Sequence, residues 1–279
     1  MSDSQDQAIT GLSTKIDTSV AHEARVYDYW LDGKDNYPAD RALGDAIASH
    51  IPAIRSMARA NRAFLGRAVR YLVGEAGIDQ FLDIGTGIPT ASNTHEVAQH
   101  LDPGARVVYI DNDPIVLAHA RALMPGTQEG KTAFIHADLH DPKSILSDPT
   151  LTATLDLDRP IAIMLVAIMM YFRDDDDPHG VIDTLLDAMP SGSYVVITHP
   201  TADFDARAMG RVVASAERAG ITFNPRSRAE TEALFAGTEI IEPGVVPVVT
   251  WRPELTREQP QTPVDPESAW YWAGIGRKP

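Results

Sequence analysis

The pattern of hydrophobic and polar positions changes character once along the chain, near residue 79. Before this point apolar residues recur every three or four positions, a spacing typical of helices that bury one face. This spacing predicts helices over Ala21–Leu31, Ala39–Ile51 and Pro52–Ala76. We therefore expect residues 1–78 to form an N-terminal helical extension that caps the rest of the molecule.

From residue 79 onward, short apolar runs alternate with amphipathic stretches. This alternation is typical of βαβ units that build a parallel sheet. The predicted strands are Phe81–Ile84, Arg106–Ile110, Thr132–His136, Ile161–Ala167 and Tyr194–Thr198. The predicted helices are Thr90–His100, Pro114–Met124, Pro178–Met189, Ala206–Ala219 and Arg228–Phe235. Two final strands, Val245–Trp251 and Ala269–Gly276, are expected to close the sheet in antiparallel fashion at one edge. We thus expect residues 79–279 to form one α/β domain.

Composition and charge exclude several kinds of chemistry. The chain has no cysteine, which excludes disulfides, thiolate metal sites and a cysteine nucleophile. Its formal net charge of -15 repels a phosphate backbone, so we expect no nucleic-acid partner. The longest apolar run, Ile161–Phe172, has 12 residues, whereas a membrane-spanning helix needs about 20. The first seven residues are polar and acidic, unlike a secretory signal. We therefore expect a cytoplasmic protein without a membrane partner.

The strongest local signal is a glycine-containing turn between the first predicted strand and the helix after it. Residues 81–90 read Phe-Leu-Asp-Ile-Gly-Thr-Gly-Ile-Pro-Thr. Glycine permits backbone angles and a close ligand approach that a side chain would prevent. Because ligands of open α/β sheets bind at the carboxyl ends of the strands, Gly85 and Gly87 are predicted to contact a ligand. The alternative is a turn that only connects strand to helix.

The residues around this turn favour S-adenosylmethionine (SAM) over a dinucleotide. Thr90 stands where the dinucleotide fingerprint has its third glycine. Asp83 would bring a carboxylate close to a pyrophosphate, and like charges at short distance repel each other. SAM has no phosphate, and its ammonium and sulfonium groups are both positive, so the same carboxylate attracts it. An NAD-dependent oxidoreductase remains the alternative.

Two further acids follow the next two predicted strands. Asp111 lies 24 residues after Gly87 and can accept hydrogen bonds from both ribose hydroxyls, a feature that NAD proteins share. Asp138 follows the third strand, where it could accept a hydrogen bond from the adenine amino group while Leu139 covers the ring face. For Asp138 the alternative is an aspartate that caps a loop turn. We expect Asp113, which precedes a proline, to cap the next helix.

The order and spacing of Asp83-x-Gly85-x-Gly87, Asp111 and Asp138 resemble the motifs of class I SAM-dependent methyltransferases. The whole chain also resembles an actinobacterial family of SAM methyltransferases first catalogued as a domain of unknown function. That narrower likeness is carried by Ala24–Tyr37, Phe81–Pro89 and Ala269–Lys278.

The resemblance implies a Rossmann-like fold, a mostly parallel seven-stranded sheet with an antiparallel C-terminal hairpin, and SAM as cofactor. It implies no substrate. The chain departs from the common pattern at Pro89, where a small residue is usual. The predicted cofactor-binding residues are Asp83, Gly85, Gly87, Asp111, Asn112, Asp138, Leu139 and Ala167.

Candidates for the chemistry are fewer, because methyl transfer from a sulfonium mainly requires alignment and exclusion of water. His199, just after the fifth strand, is a candidate general base, with a structural loop histidine as the alternative. Tyr27 shares a predicted helix face with Trp30 and is a candidate to shape the acceptor pocket, with core packing as the alternative. Asp174–Asp177 is interpreted as helix capping, not as a Mg²⁺ or Ca²⁺ site, so no metal is predicted.

These observations together predict a SAM-dependent methyltransferase that acts on an oxygen or nitrogen of a small-molecule acceptor, in a pocket capped by the N-terminal helices. Two other functions remain open at this point. One is the NAD-dependent oxidoreductase, and the other is a non-catalytic SAM-binding protein, which the lack of an unmistakable base leaves possible.

Overall fold

The computed structural model describes residues 17–89, 92–114, 116, 127, 129–256 and 265–279. Three helices come first, and alternating strands and helices follow them. The helices are α1 Glu23–Trp30, α2 Pro38–His50, α3 Ile54–Gly74, α4 Thr94–Leu101, α5 Pro142–Ser147, α6 Pro149–Thr154, α7 Pro178–Asp187, α8 Ala206–Arg218 and α9 Arg228–Ala233. The strands are β1 Gln80–Ile84, β2 Arg106–Asp111, β3 Lys131–His136, β4 Ala162–Val166, β5 Tyr194–Pro200, β6 Glu239–Ile240, β7 Val246–Pro247 and β8 Tyr271–Arg277.

The described strands form one mixed sheet in the order β3-β2-β1-β4-β5-β8-β6, with β7 also pairing with β8. Strands β1 to β5 are parallel to one another, and β8 runs antiparallel to β5. The chain leaves β1 toward β2 and β3, and then returns to build β4 and β5 on the other side. The strand order therefore reverses beside β1, which is where open α/β sheets bind their ligands. The predicted Rossmann-like α/β class is confirmed.

The C-terminal edge differs in detail from the prediction. The strand expected over Ala269–Gly276 is present as β8, but the strand expected over Val245–Trp251 is reduced to Val246–Pro247. Pro247 has no N–H for a ladder, and its carbonyl accepts a hydrogen bond from the Thr250 N–H at 2.8 Å, which turns the chain. The described sheet has eight strands, not seven, because β6 and β7 pair separately with β8.

The helix predictions agree with the structure except near their ends and in two short segments. The helix expected over Thr90–His100 begins at Thr94, after the Asn93 cap; residues 90 and 91 lie outside the described residues. The helix predicted over Pro114–Met124 also falls largely outside them. Helices α5 and α6 have six residues each, which is too short to show a clear helical period in sequence.

Buried apolar side chains form two clusters, one on each face of the sheet. Alternate residues of a strand face opposite sides, so Phe81 joins the cluster that contains α1 to α4, while Leu82 joins the cluster that contains α5 to α7. Each of the first three helices contributes side chains to the first cluster, among them Val26, Leu43 and Phe64. The N-terminal helices thus share a core with the sheet, and the division into residues 1–78 and 79–279 stays a prediction.

A buried arginine fixes α3 against the C-terminal part of the chain. Arg67 donates from Nε to the carbonyl of Trp251 at 2.8 Å and from Nη2 to the carbonyl of Val248 at 2.6 Å. Phe64 and Tyr71 pack edge-on against the Trp251 ring, with centroids at 5.3 and 5.8 Å. Burial lowers the pKa of Arg67 to about 10, so the guanidinium stays charged at neutral pH. The position of α3 over the sheet is therefore tightly defined.

Candidate active site

A cleft with an empty volume of about 1030 Å³ opens where β1, β2 and β4 end. All eight predicted cofactor-binding residues line it, together with Tyr27. Their roles stay predictions, but the fold does bring together side chains that the sequence separates by more than eighty positions. The parallel register explains this, because the carboxyl ends of adjacent parallel strands lie at one edge of the sheet.

The two glycines of the turn after β1 serve different purposes. Both have positive φ angles, 75° at Gly85 and 64° at Gly87, which side chains rarely adopt. A Cβ on Gly85 would lie 2.7 Å from Cδ1 of Ile168, so this glycine allows close packing under the cleft. A Cβ on Gly87 would meet no atom within 4 Å. The open side of Gly87 faces the cleft, where it leaves room for a ligand to approach the backbone.

Asp83 is a buried carboxylate at the end of β1. Its Oδ2 accepts a hydrogen bond from the Thr94 hydroxyl at 2.6 Å. Burial raises the pKa of Asp83 to about 6, while the Thr94 hydrogen bond and the charge of Arg62 act in the opposite direction. A buried carboxylate with a raised pKa favours the approach of a cationic ligand group.

Asp111 ends β2 and is tied to the glycine turn. Its Oδ2 accepts from the Gly87 N–H and its Oδ1 from the Asp113 N–H, both at 2.9 Å. Burial raises the pKa of Asp111 to about 6, against the effect of these two backbone donors. Each carboxylate oxygen can accept more than one hydrogen bond. Asp111 therefore links β1 to β2 and keeps acceptor capacity toward the cleft, next to Asn112.

The segments after β3 and β4 form the other end of the cleft. Asp138 is half-exposed, and it accepts hydrogen bonds from the backbone N–H of His140 at 2.9 Å and from its Nδ1 at 2.8 Å. These contacts also form a local turn, the alternative role considered for this aspartate. The His140 ring stacks on Phe172, with centroids 4.0 Å apart. Leu139 is buried beside this pair. Ala167 has φ 56° and is held by its N–H, which donates to the Thr198 hydroxyl at 2.9 Å.

Several cleft residues were missed by the sequence analysis. They come from helices and loops that carry no motif, and they are His22, Glu23, Asn61, Arg62, Tyr171 and Phe172. Arg62 is one of five arginines on α3, so its spacing does not distinguish it from the others. Asn61 is buried, and among the described residues its Oδ1 has no hydrogen-bond partner. Only the packing of α3 over the strand ends reveals these side chains as part of the site.

Tyr27 lies on α1 and borders the cleft. Its hydroxyl donates to the Ala58 carbonyl at 3.1 Å and accepts from Nδ2 of Asn61 at 3.0 Å. Burial raises the pKa of Tyr27, so it remains a neutral hydroxyl at physiological pH. The predicted contact with Trp30 is present, with ring centroids 6.4 Å apart. Tyr27 therefore packs against the core and also lines the cleft, and its role toward the acceptor stays a prediction.

His199 lies in a different environment. It is fully buried on β5 and does not line the cleft. Its Nδ1 is 3.0 Å from the Pro200 carbonyl and its Nε2 is 3.0 Å from Nη1 of Arg226. Burial lowers the pKa of His199 to about 4, which keeps the ring neutral and lets it accept from the arginine. These contacts favour a structural role, and the base role stays a prediction that the geometry does not support.

The acidic run after β4 contributes to local structure. The Asp177 side chain accepts from the Gly180 N–H at 3.1 Å and caps α7, as predicted. Asp174 pairs with Arg226 at 3.1 Å, and Asp176 accepts from the Arg173 N–H at 2.7 Å. The part of the chain that the structure describes contains no group of three or more potential metal ligands. In that same part, no helix combines the length and apolar character needed to cross a membrane.

Comparison with solved structures places the fold. A DUF574 family protein from Streptomyces avermitilis shares 45% identity, with a TM-score of 0.89 over 94% of this chain and 99% of that one. A proposed methyltransferase from Thermobifida fusca shares 43% identity, with a TM-score of 0.84 over 94% and 96%. The plantazolicin methyltransferase BpumL in complex with SAH, the demethylated product of SAM, has the same fold at 14% identity, with a TM-score of 0.51 over 92% and 95%. No curated protein matched the chain.

The family model described as S-adenosyl methyltransferase matches residues 10–279, nearly the whole chain. Among the functions left open by the sequence, this match supports the SAM-dependent methyltransferase. The cleft geometry agrees with the match, because its buried acids suit a cationic nucleoside. The chain therefore belongs to the S-adenosyl methyltransferase family and is a SAM-dependent methyltransferase.

Proposed function

We propose that the enzyme methylates an oxygen or nitrogen of a small-molecule acceptor, with the cofactor held by the eight predicted cleft residues. The observation that carries this proposal is the position of α1 at the border of the cleft. Glu23 and Tyr27 on α1 line the same space as Asp83 and Asp111 on the strand ends. Such a border on the cleft favours a small acceptor over a folded polymer.

The cleft chemistry fits the amino-acid end of SAM. Asp83 offers a carboxylate to the ammonium group, and Arg62 lies close enough to affect the pKa of Asp83. We infer that Arg62 binds the carboxylate of the methionine end, since an arginine fork matches a carboxylate. Oδ1 of Asn61, which lacks a partner among the described residues, is the acceptor available for a further N–H of the ammonium group.

The nucleoside end would extend along the remaining strand ends. Asp111 is the acceptor for the ribose hydroxyls, next to Asn112 and Gly87. Leu139 and the stacked pair of His140 and Phe172 provide an apolar surface for the adenine ring, and Asp138 an acceptor for its amino group. This arrangement follows the strand order, so one extended molecule would contact β1, β2 and the segment after β3.

When bound, SAM supplies a methyl group on a positively charged sulfur. The protein has to align an acceptor lone pair with that group and keep water away. Tyr27 is neutral and fixed by two hydrogen bonds, so it serves as a positioning residue at the border of the cleft. The net charge of -15 disfavours nucleic acid as the acceptor. The cytoplasmic location expected from the sequence forms part of the same proposal.

A labelling experiment tests the proposal. The full chain is incubated with methyl-labelled SAM and a cell extract divided by ultrafiltration into small molecules and macromolecules. We expect the label in the small-molecule fraction, in a product whose fragmentation places the methyl group on oxygen or nitrogen. Label confined to protein or nucleic acid, or a methyl group on carbon, would overturn the proposal.

A further inference from the structure

A second cavity, with an empty volume of about 600 Å³, adjoins the cofactor cleft. We call it the apolar chamber. Its walls come from α1, α2, the start of α3 and α8, together with the segment after β4, the last residue of β5, the segment after α8 and the first residue of β8. The N-terminal helices thus contribute about half of the residues that line the chamber.

The lining of the chamber is almost entirely hydrophobic. Leucine, isoleucine, valine and methionine side chains form most of it, and the aromatic rings include Trp30 and Phe223. Among the described lining residues, Glu23 is the one charged side chain, and there is no lysine, arginine or histidine. Methionine packs favourably around aromatic rings and adapts to their shape. Such walls suit a flat apolar molecule and disfavour an anion, which would find no cation there.

The chamber and the cofactor cleft share three residues, Glu23, Tyr27 and Tyr171. Tyr171 follows the carboxyl end of β4, a few residues after Ala167, which borders the cofactor side. A molecule in the chamber would therefore meet the cofactor at the end of β4. The shared residues include a carboxylate and two hydroxyls, so the polar atoms of the chamber concentrate where the two cavities meet.

Two chamber hydroxyls are available to a ligand. Tyr171 and Tyr271 both line the chamber, and neither hydroxyl makes a hydrogen bond to any other residue that the structure describes. Burial raises the pKa of Tyr171 and of Tyr271 well above the ordinary value, so both hydroxyls keep their protons. A polar group on a bound molecule would supply a hydrogen-bond partner for either hydroxyl.

We propose that the apolar chamber is the acceptor pocket, that the acceptor is an uncharged aromatic molecule with a phenolic hydroxyl, and that Glu23 takes the hydroxyl proton. This inference rests on the proposed function and narrows it to oxygen. A carboxylate acceptor is disfavoured because Glu23, the one charged side chain among the described lining residues of the chamber, carries a charge of the same sign. A protonated amine has no free lone pair for attack, and its burial in this lining costs desolvation energy.

The methyl transfer requires only SAM, the phenolic acceptor and the Glu23 carboxylate. The phenolic oxygen forms a bond to the methyl carbon while the carbon–sulfur bond breaks. The electron pair of the broken bond stays on sulfur. The phenolic proton passes to the Glu23 carboxylate. Glu23 is 29% exposed, so it can release that proton to water and regain its charge before the next cycle. The products are an aryl methyl ether, the neutral thioether and one proton.

Binding of a matched pair of probes tests the chemistry of the chamber. 2-Naphthol and 2-naphthoate have the same rings and differ in the hydroxyl or carboxylate that they carry. Titration calorimetry measures both against the full chain saturated with SAH, which cannot transfer a methyl group. We expect 2-naphthol to bind at least about tenfold more tightly than 2-naphthoate, because a buried unpaired anion is costly. Equal affinities, or no binding of 2-naphthol, would overturn the proposal.

Variants locate the bound probe. Ala216 on α8 is 2% exposed and lines the chamber, whereas its neighbour Glu217 is exposed to solvent. Ala216→Phe fills the chamber, and Glu217→Phe places the same ring outside it. We expect Ala216→Phe to weaken 2-naphthol binding about tenfold or more, with SAM affinity unchanged in both variants. If Ala216→Phe does not fold, Ile47→Trp fills the chamber from α2. Native 2-naphthol affinity in a folded chamber variant would overturn the proposal.

Glu23→Gln separates binding from chemistry. We expect this variant to bind 2-naphthol within a few-fold of the native affinity but to methylate it about 100-fold or more slowly, as loss of a general base predicts. An unchanged kcat would refute the role of Glu23. The binding and labelling experiments together distinguish a wrong acceptor class from a wrong proposed function. If SAM binds and the metabolite fraction is labelled but 2-naphthol does not bind, only the acceptor class is wrong.

Discussion

At the scale of single residues, the fold places two carboxylates, Asp83 and Asp111, in a buried position at neighbouring strand ends. For Asp83 the rise of the pKa from 3.8 to about 6 corresponds to about 3 kcal/mol against the ionised form. The protein bears this cost in the free enzyme, and a cationic ligand group removes it. Burial of these acids therefore lowers the stability of the free enzyme and, under the proposed function, favours a cationic ligand.

Replacement of Asp83 by asparagine keeps the shape and removes the charge. We expect Asp83→Asn to weaken SAM binding at least about tenfold, since a hydrogen bond to a charged group contributes about 1.5 to 3 kcal/mol. The free variant should also unfold at the same or a higher temperature than the native protein at pH 7.5. Titration calorimetry and thermal unfolding measure the two effects. Asp187→Asn, at an exposed position on α7, is the matched control, and native SAM affinity in Asp83→Asn would contradict the assignment.

His199 can be tested for a structural role. In His199→Phe the buried Arg226 loses the acceptor that lies 3.0 Å from its Nη1, which should lower the free energy of unfolding by about 1 to 3 kcal/mol. We expect the SAM affinity and kcat of the folded variant to change only a few-fold. Urea denaturation and steady-state kinetics measure these quantities. A fall in kcat of about 100-fold with unchanged stability would instead establish His199 as the general base.

At the scale of elements, a carboxylate on α1 shapes the segment between α1 and α2. The Asp28 carboxylate on α1 accepts from the Asp35 N–H at 3.0 Å and from Nδ2 of Asn36 at 2.9 Å. Gly33 lies directly against this carboxylate, where a Cβ would come within 1.8 Å of Oδ1. Asp28 and Gly33 therefore shape the turn that sets α2 against α1, and through it one wall of the chamber.

Loss of this carboxylate should loosen the turn. We expect Asp28→Ala to lower the free energy of unfolding by about 1 to 3 kcal/mol, because buried donors lose their acceptor. Hydrogen exchange should quicken at residues 33–37 and in α2, while α5 and α6 on the opposite face keep their protection. Lys34→Ala, at an exposed position in the same turn, is the control. Unchanged exchange in Asp28→Ala would show that packing of α1 and α2 alone defines the turn.

At the scale of the whole molecule, the two buried carboxylates couple the stability of the free enzyme to pH. Their pKa values in the folded state, both about 6, lie above the ordinary value of 3.8. The folded state thus binds protons more tightly than the unfolded state between pH 4 and 6. Since stability falls with rising pH wherever the folded state binds more protons, the free enzyme should lose stability from about pH 4 to 6 and then level off.

SAM binding should show the opposite dependence on pH. The cation binds the ionised carboxylates, so affinity should be nearly constant above pH 7 and should weaken toward about tenfold per pH unit below pH 6 for each carboxylate involved. Titration calorimetry between pH 5 and 8 measures this dependence. In Asp83→Asn the slope below pH 6 should become smaller. A dissociation constant that stays the same from pH 8 to pH 5 would show that neither carboxylate faces the cation.

Much of this architecture could be predicted from the sequence. The change from helical to alternating periodicity near residue 79 corresponds to the start of the sheet at Gln80. The acids at the ends of β1 and β2 lie at the same cleft, because parallel strands present their carboxyl ends at one edge. Local errors arose where the signal is weak, as in β7, where Pro247 ends a run that resembles a longer strand.

The sequence by itself determined the fold class, the cofactor and the acids at neighbouring strand ends, because these depend on periodicity and on residues within a few positions of a strand end. Tertiary structure alone decided that Arg62 and Asn61 line the cleft, that Glu23 and Tyr171 line both cavities, and that His199 contacts Arg226 away from the cleft. Such proximity results from the packing of distant segments, and the sequence carries no periodic signal for it.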